Sequence, residues 1–195
     1  MKEVQNILSK NSFIDIKKIK DDFLYYHHET YLHSLRVARL CVLVASEMGV
    51  SEDGLQKICI AGLLHDIGKI EINPLILNKK DKLNKLEYEE IQTHVKKGVQ
   101  ILISYNIDSE IIRIVEEHHE KEDGFGYPYG KKGDEISLFG KILHVVDVFE
   151  ALTGKRCYKP SIPIEGALNI IKKDAQSFDM EVVTILEKIM IRELE

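Results

Sequence analysis

The sequence predicts an all-α fold, a single helical bundle interrupted by one long Gly-rich loop. Three observations carry this reading. Apolar residues recur at helical spacing through most of the chain. Proline occurs only 4 times in 195 residues, so helix interiors are rarely broken. No pair of alternating apolar runs flanks a two-residue turn, the pattern a hairpin would leave.

The elements follow in order. Residues 1–24 read as one or two short amphipathic helices, an extension or linker ahead of the main domain over 25–195. A long helix is predicted from about His28 to Met48, with Leu32, Leu35, Ala38, Val42 and Ala45 along its apolar side and Gly49 at its end. Ser51 is a suitable N-cap, and Glu52 and Asp53 complement the positive end of the helix that follows. That helix carries Leu55, Ile58, Cys59, Ala61 and Leu63 and ends near His65-Asp66. Asn73-Pro74 marks a break. Asn84 with Glu87 has the spacing of a capping box and opens a helix expected to run unbroken through His94 to about Ile103. Asp108 caps a helix ending at His118-His119. Lys121 to Ile136 is the irregular segment, and long loops in compact domains usually have a function. Ser137 starts a helix through Asp147 to Leu152. A loop follows from Gly154 to Pro163, then two more helices, the second capped by Asp179.

Composition narrows the function. The net charge of −5 lacks the basic excess that nucleic-acid polymers or anionic membrane surfaces require. A small anionic substrate stays compatible, because bound metal ions can supply local positive charge. Three cysteines without C-x-x-C spacing argue against a disulfide framework and for a reducing compartment. No apolar run is long enough to span a bilayer, and Met1 to Lys10 does not have the apolar stretch of a signal peptide. The expectation is a cytoplasmic protein.

The histidines point to chemistry. His65-Asp66 closes an apolar helix, where an ionisable pair needs hydrogen bonds or a metal. His118 and His119 are adjacent at another helix end, where both rings can turn to one site. Glu29 and His33 are four residues apart and share a helix face. His144, three residues before Asp147, reads as a histidine packed near the core. Imidazoles and carboxylates without thiolates suit iron, manganese, nickel or zinc, and ions close together suit phosphoryl transfer.

The ordered set of motifs resembles the HD-GYP phosphodiesterases, a branch of the HD superfamily. The resemblance runs from Glu29 to about Asp179. It rests on Tyr31-Leu-His33-Ser-Leu-Arg36, His65-Asp66-Ile-Gly-Lys69, Leu77-Asn78-Lys79, Thr93-His94, His118-His119 with Gly124-Phe-Gly126-Tyr127-Pro128, and Asp147-Val-Phe-Glu-Ala-Leu-Thr153 with Arg156-Cys-Tyr158. Cys157 and Met180 stand where that family usually has proline.

The resemblance implies an HD-type helical bundle and a set of metal ligands: His33, His65, Asp66, His94, His118, His119 and Asp147, with Asp66 bridging. Glu29 matches the extra carboxylate of members that hold three ions. Lys69 is implied beside the scissile phosphate, Tyr127 in the pocket wall, and Arg156 and Lys159 on substrate phosphates. The implied cofactor is two or three divalent ions, iron or manganese first, nickel or zinc also accommodated. The implied reaction opens cyclic di-GMP to the linear dinucleotide, with further cutting to GMP left open, by attack of metal-activated hydroxide on phosphorus. A different nucleotide substrate, or a non-catalytic binding module on the same fold, are the alternatives. A sensor domain, a signalling partner and a homodimer stay open as partners.

Overall fold

A computed structural model describes residues 28–154 and 161–192. The proposed extension over 1–24, together with Arg156 and Lys159, lies outside the described residues. Every regular element among them is helical.

Helix α1, His28–Glu47, packs most extensively against α2, Glu52–Leu64. Ser51 accepts from the Gly54 amide and caps α2, as its position predicts. The two helices approach closely at Gly62, where a Cβ would stand 2.9 Å from the Ala38 Cα. Both bury their apolar faces fully: Val37, Ala38, Cys41, Val44 and Ala45 on one, Ile58, Cys59, Ala61, Leu63 and Leu64 on the other. Cys41 and Cys59 are free thiols inside this core, with burial pushing the Cys59 thiol up to about 12.

A short 3-10 turn over Ile67–Glu71 follows α2, then α3, Pro74–Leu77, with Pro74 in its first turn and Asn73 as its cap. The capping box of Asn84 and Glu87 is present at the start of α4, Lys85–Gln92. The single helix expected from Asn84 to Ile103 is instead two, α4 and α5, His94–Ser104. The break falls at Thr93, whose amide and hydroxyl both turn back to the Glu90 carbonyl. A hydroxyl competing for the i−3 carbonyl loosens the ladder at that point.

Helix α6, Ser109–Glu117, is capped by Asp108. The loop after it contains a single 3-10 turn, Gly133–Glu135. Helix α7, Leu138–Thr153, is capped by Ser137 and runs through the centre of the bundle against α1, α2 and α6. Helix α8, Ile164–Lys173, and α9, Met180–Arg192, close one side, and Asp179 accepts from two amides at the start of α9. Val145, Val146 and Phe149 of α7 meet the core between these layers. Asp147 sits on the same helix, so the core packing that fixes α7 also fixes the site. None of the described helices is long and apolar enough to cross a membrane.

Candidate metal centre

Five separate stretches deliver the predicted ligands to one place: the second turn of α1 (His33), the end of α2 (His65, Asp66), the α4–α5 break (His94), the end of α6 (His118, His119), and α7 (Asp147). His33, His65 and Asp66 each offer a ligand atom within 4.8 Å of the others, and so do His94, His118 and His119. The adjacent pair at the end of α6 does converge, with ring centroids 4.0 Å apart.

Carboxylates join the two groups. Asp66 presents Oδ2 at 3.3 Å from His65 Nε2 and Oδ1 at 3.4 Å from His94 Nε2. Asp147 Oδ1 lies 2.9 Å from His33 Nε2 and 3.6 Å from His65 Nε2. Asp66 therefore faces both groups, as a bridging carboxylate would.

The backbone sets which ring nitrogen faces inward. His65, His94 and His118 each donate from Nδ1 to the carbonyl three residues earlier, Gly62, Ile91 and Val115, at 2.8, 2.7 and 2.6 Å. A carbonyl only accepts, so Nδ1 carries a proton in all three, and at His94 and His118, where the ring is neutral, Nε2 keeps its lone pair for the centre. These histidines sit at helix ends or at the Thr93 break, where the helical ladder ends and a carbonyl can take a side-chain donor.

The donor set fits a divalent ion. His94 Nε2 and His118 Nε2 face each other at 3.2 Å. Burial depresses His94 to about 4 and holds His118 well below the usual imidazole range, so both rings are neutral. Two lone pairs pointing at one another inside a protein call for an electropositive partner between them. His65 Nε2 is buried and makes no hydrogen bond of good geometry, its polar neighbours being the Asp66 and Asp147 carboxylates, a nitrogen-and-oxygen setting that a metal would also satisfy.

Around the ligands, Lys69 Nζ lies 2.5 Å from Asp66 Oδ2. That contact, with His65 and His94 nearby, outweighs burial and keeps the Asp66 carboxyl well below its usual range. The Tyr127 ring lies over His119, centroids 4.6 Å apart, and burial pushes its hydroxyl up. Glu29 is exposed and belongs to neither group of converging ligand atoms. His144 is buried, stacked on Phe178, and donates from Nδ1 to the His118 carbonyl at 3.0 Å.

Three buried glutamates were missed by the sequence reading. Glu120 accepts from the Tyr129 and Lys131 amides, pinning the signature loop from within. Glu117 accepts from Ser137, Arg113 and Lys131 and ties the end of α6 to the start of α7. Glu150 accepts from His33 Nδ1 and from Arg36. One signal was available: Glu150 follows Asp147 by three residues and so shares its helix face. The loop has its own constraint at Gly126, where a Cβ would meet the His119 carbonyl oxygen at 2.5 Å.

Comparison with known proteins places this arrangement. The model of the HD domain family matches residues 11–182. The chain is 38% identical over 157 residues to 3'3'-cGAMP-specific phosphodiesterase 3 of Vibrio cholerae, covering 80% of this chain and 34% of that protein. It is 39% identical over 170 residues to a cyclic di-GMP phosphodiesterase of Thermotoga maritima, covering 85% and 46%. The chain thus spans less than half the length of these relatives. Among solved structures, the HD domain of the Listeria monocytogenes phosphodiesterase PgpH in complex with cyclic-di-AMP aligns with a TM-score of 0.66 at 20% identity, over 91% of this chain and 95% of that one. Bd1817, an HDG"Y"P protein from Bdellovibrio bacteriovorus, aligns with a TM-score of 0.69 at 20% identity, over 82% and 52%. At such identities the structural likeness concerns the fold.

Proposed function

This chain belongs to the HD domain family, as its resemblance to the HD-GYP branch implied, and we propose that it is a metal-dependent phosphodiesterase that opens cyclic di-GMP to the linear dinucleotide pGpG, with further cutting to GMP left open. The observation that carries this reading is the inward-facing pair of neutral imidazoles, His94 and His118, 3.2 Å apart beside the Asp66 carboxylate. His33, His65, Asp66 and Asp147 would hold one ion, and His94, His118, His119 and Asp66 a second. Glu29, one turn before His33 on α1, is the candidate for a third.

Divalent ions so held would polarise phosphate oxygens and lower the pKa of water at neutral pH. The protein's own groups do the rest. Asp66, whose carboxyl Lys69, His65 and His94 hold well below its usual range against burial, is a carboxylate at neutral pH. Lys69 Nζ, at the edge of the site, opposes negative charge that develops on the phosphate. Tyr127, packed on His119, borders the space a base or ribose would fill and helps exclude water. Arg156 and Lys159 are proposed to contact the outer phosphate. The cytoplasm, where cyclic dinucleotides act as signals, is the proposed compartment, with a regulatory segment or partner as the source of input.

A second reading, 3'3'-cGAMP as substrate, has support in the Vibrio cholerae relative. The test is an anaerobic assay of iron- or manganese-loaded protein with cyclic di-GMP, 3'3'-cGAMP and cyclic di-AMP, products separated by chromatography. Fastest turnover of cyclic di-GMP, lost when metal is stripped, is the expected result. Faster turnover of 3'3'-cGAMP would install the second reading, and no turnover of any of the three with metal bound would overturn both.

A further inference from the structure

We propose that Glu150, to which neither the motifs nor the relatives' names assign a role, is a positioning residue of the metal centre. It would do for His33 what backbone carbonyls do for the other histidines. This rests on the reading of the site as a metal centre.

His65, His94 and His118 fix their rings on carbonyls freed at helix ends or breaks. His33 lies inside α1, where the carbonyl three residues back belongs to an unbroken helix. Its Nδ1 needs another acceptor, and the Glu150 Oε2 provides it. The carboxylate is 3% exposed and comes from the next turn of α7 after Asp147. Its other oxygen, Oε1, takes the Arg36 Nε–H, one turn along α1 from His33. Gly154 closes behind it, where a Cβ would stand 2.7 Å from Oε1. Both carboxylate oxygens are thus engaged, on the far side of the His33 ring from Nε2. Nε2 in turn faces Asp147 at 2.9 Å and Asp66 at 4.0 Å. Glu150 is therefore not a ligand. It sets the ring's orientation and tautomer, and its charge makes the imidazole a stronger donor than a carbonyl partner would.

A consequence separates this role from general packing. Loss of Glu150 should weaken only the ion that His33 holds. The test is metal titration of the purified full chain against a fluorescent chelator with Mn²⁺ or Zn²⁺, for wild type, Glu150→Gln and Glu150→Asp, beside the melting midpoint of each protein without metal. Two variants are used so that a failure of one to fold does not stop the test. The expected result is roughly 10- to 100-fold weaker binding of one ion in Glu150→Gln, the other ion unchanged and the metal-free midpoint kept. Glu150→Asp, which keeps the charge, should lose less. Unchanged affinity for both ions would overturn the proposal, and so would a joint loss of both ions with the metal-free fold. Wild-type protein that binds no divalent ion would refute the metal reading itself, a result distinct from either.

Discussion

On one side of the site, His33 and His65 face the carboxylates of Asp66 and Asp147; on the other, His94, His118 and His119 face mainly one another. Burial pulls every one of these rings toward the neutral form, but the outcome differs. Asp66 and Asp147 outweigh burial at His65 and raise it to about 10, and Asp147 with Glu150 raises His33. Without carboxylates of their own, His118 and His119 stay well below the usual range, and His94 falls to about 4 despite Asp66. One half carries charge and favours protonated rings, which a metal would have to displace. The other is a neutral nest of lone pairs. Two ions bound side by side would meet different ligand charge and different pH dependence.

Asp66→Ala should have the largest effect, because this residue faces both halves. Metal content and turnover should both be lost, read by elemental analysis and the nucleotide assay. An ion retained at full affinity would mean that the halves fill independently of Asp66. His119→Ala should be milder in metal and severe in activity: the imidazole half loses its ion while the carboxylate half keeps its own. Equal loss from both halves would break the distinction between them.

The smallest effect concerns protons. Metal binding to the carboxylate half should release protons at neutral pH, since His65 with a value of about 10 is protonated there. Affinity of that half should therefore rise with pH through neutrality. The imidazole half, deprotonated above the value of about 4 to which His94 is depressed, should show a flat profile. Titration in weak buffer would check this. His119→Ala should release as many protons as wild type while binding fewer ions.

The sequence by itself determined the helical class, the caps at Ser51, Asn84, Asp108, Ser137 and Asp179, and the chemical interest of His65-Asp66 and His118-His119. These are local properties: capping depends on a few neighbouring residues, and an ionisable pair ending an apolar helix is visible without knowing its partners. His33 and Asp147, separated by 114 residues, could be paired only by resemblance before the packing of α1 on α7 was seen.

Tertiary structure decided the rest. It broke the helix at Thr93, which lets the His94 ring anchor on Ile91, through a hydroxyl bond that periodicity does not register. It buried Glu117, Glu120 and Glu150, which in a sequence look like ordinary surface acids. A buried carboxylate is stable only where several donors converge on it, and those donors come from a distant helix, Arg36 and His33 for Glu150, or from the folding-back of one loop, the Tyr129 and Lys131 amides for Glu120. Spacing along the chain carries no record of that convergence, so the candidate ligands were legible and the buried carboxylates around them were not.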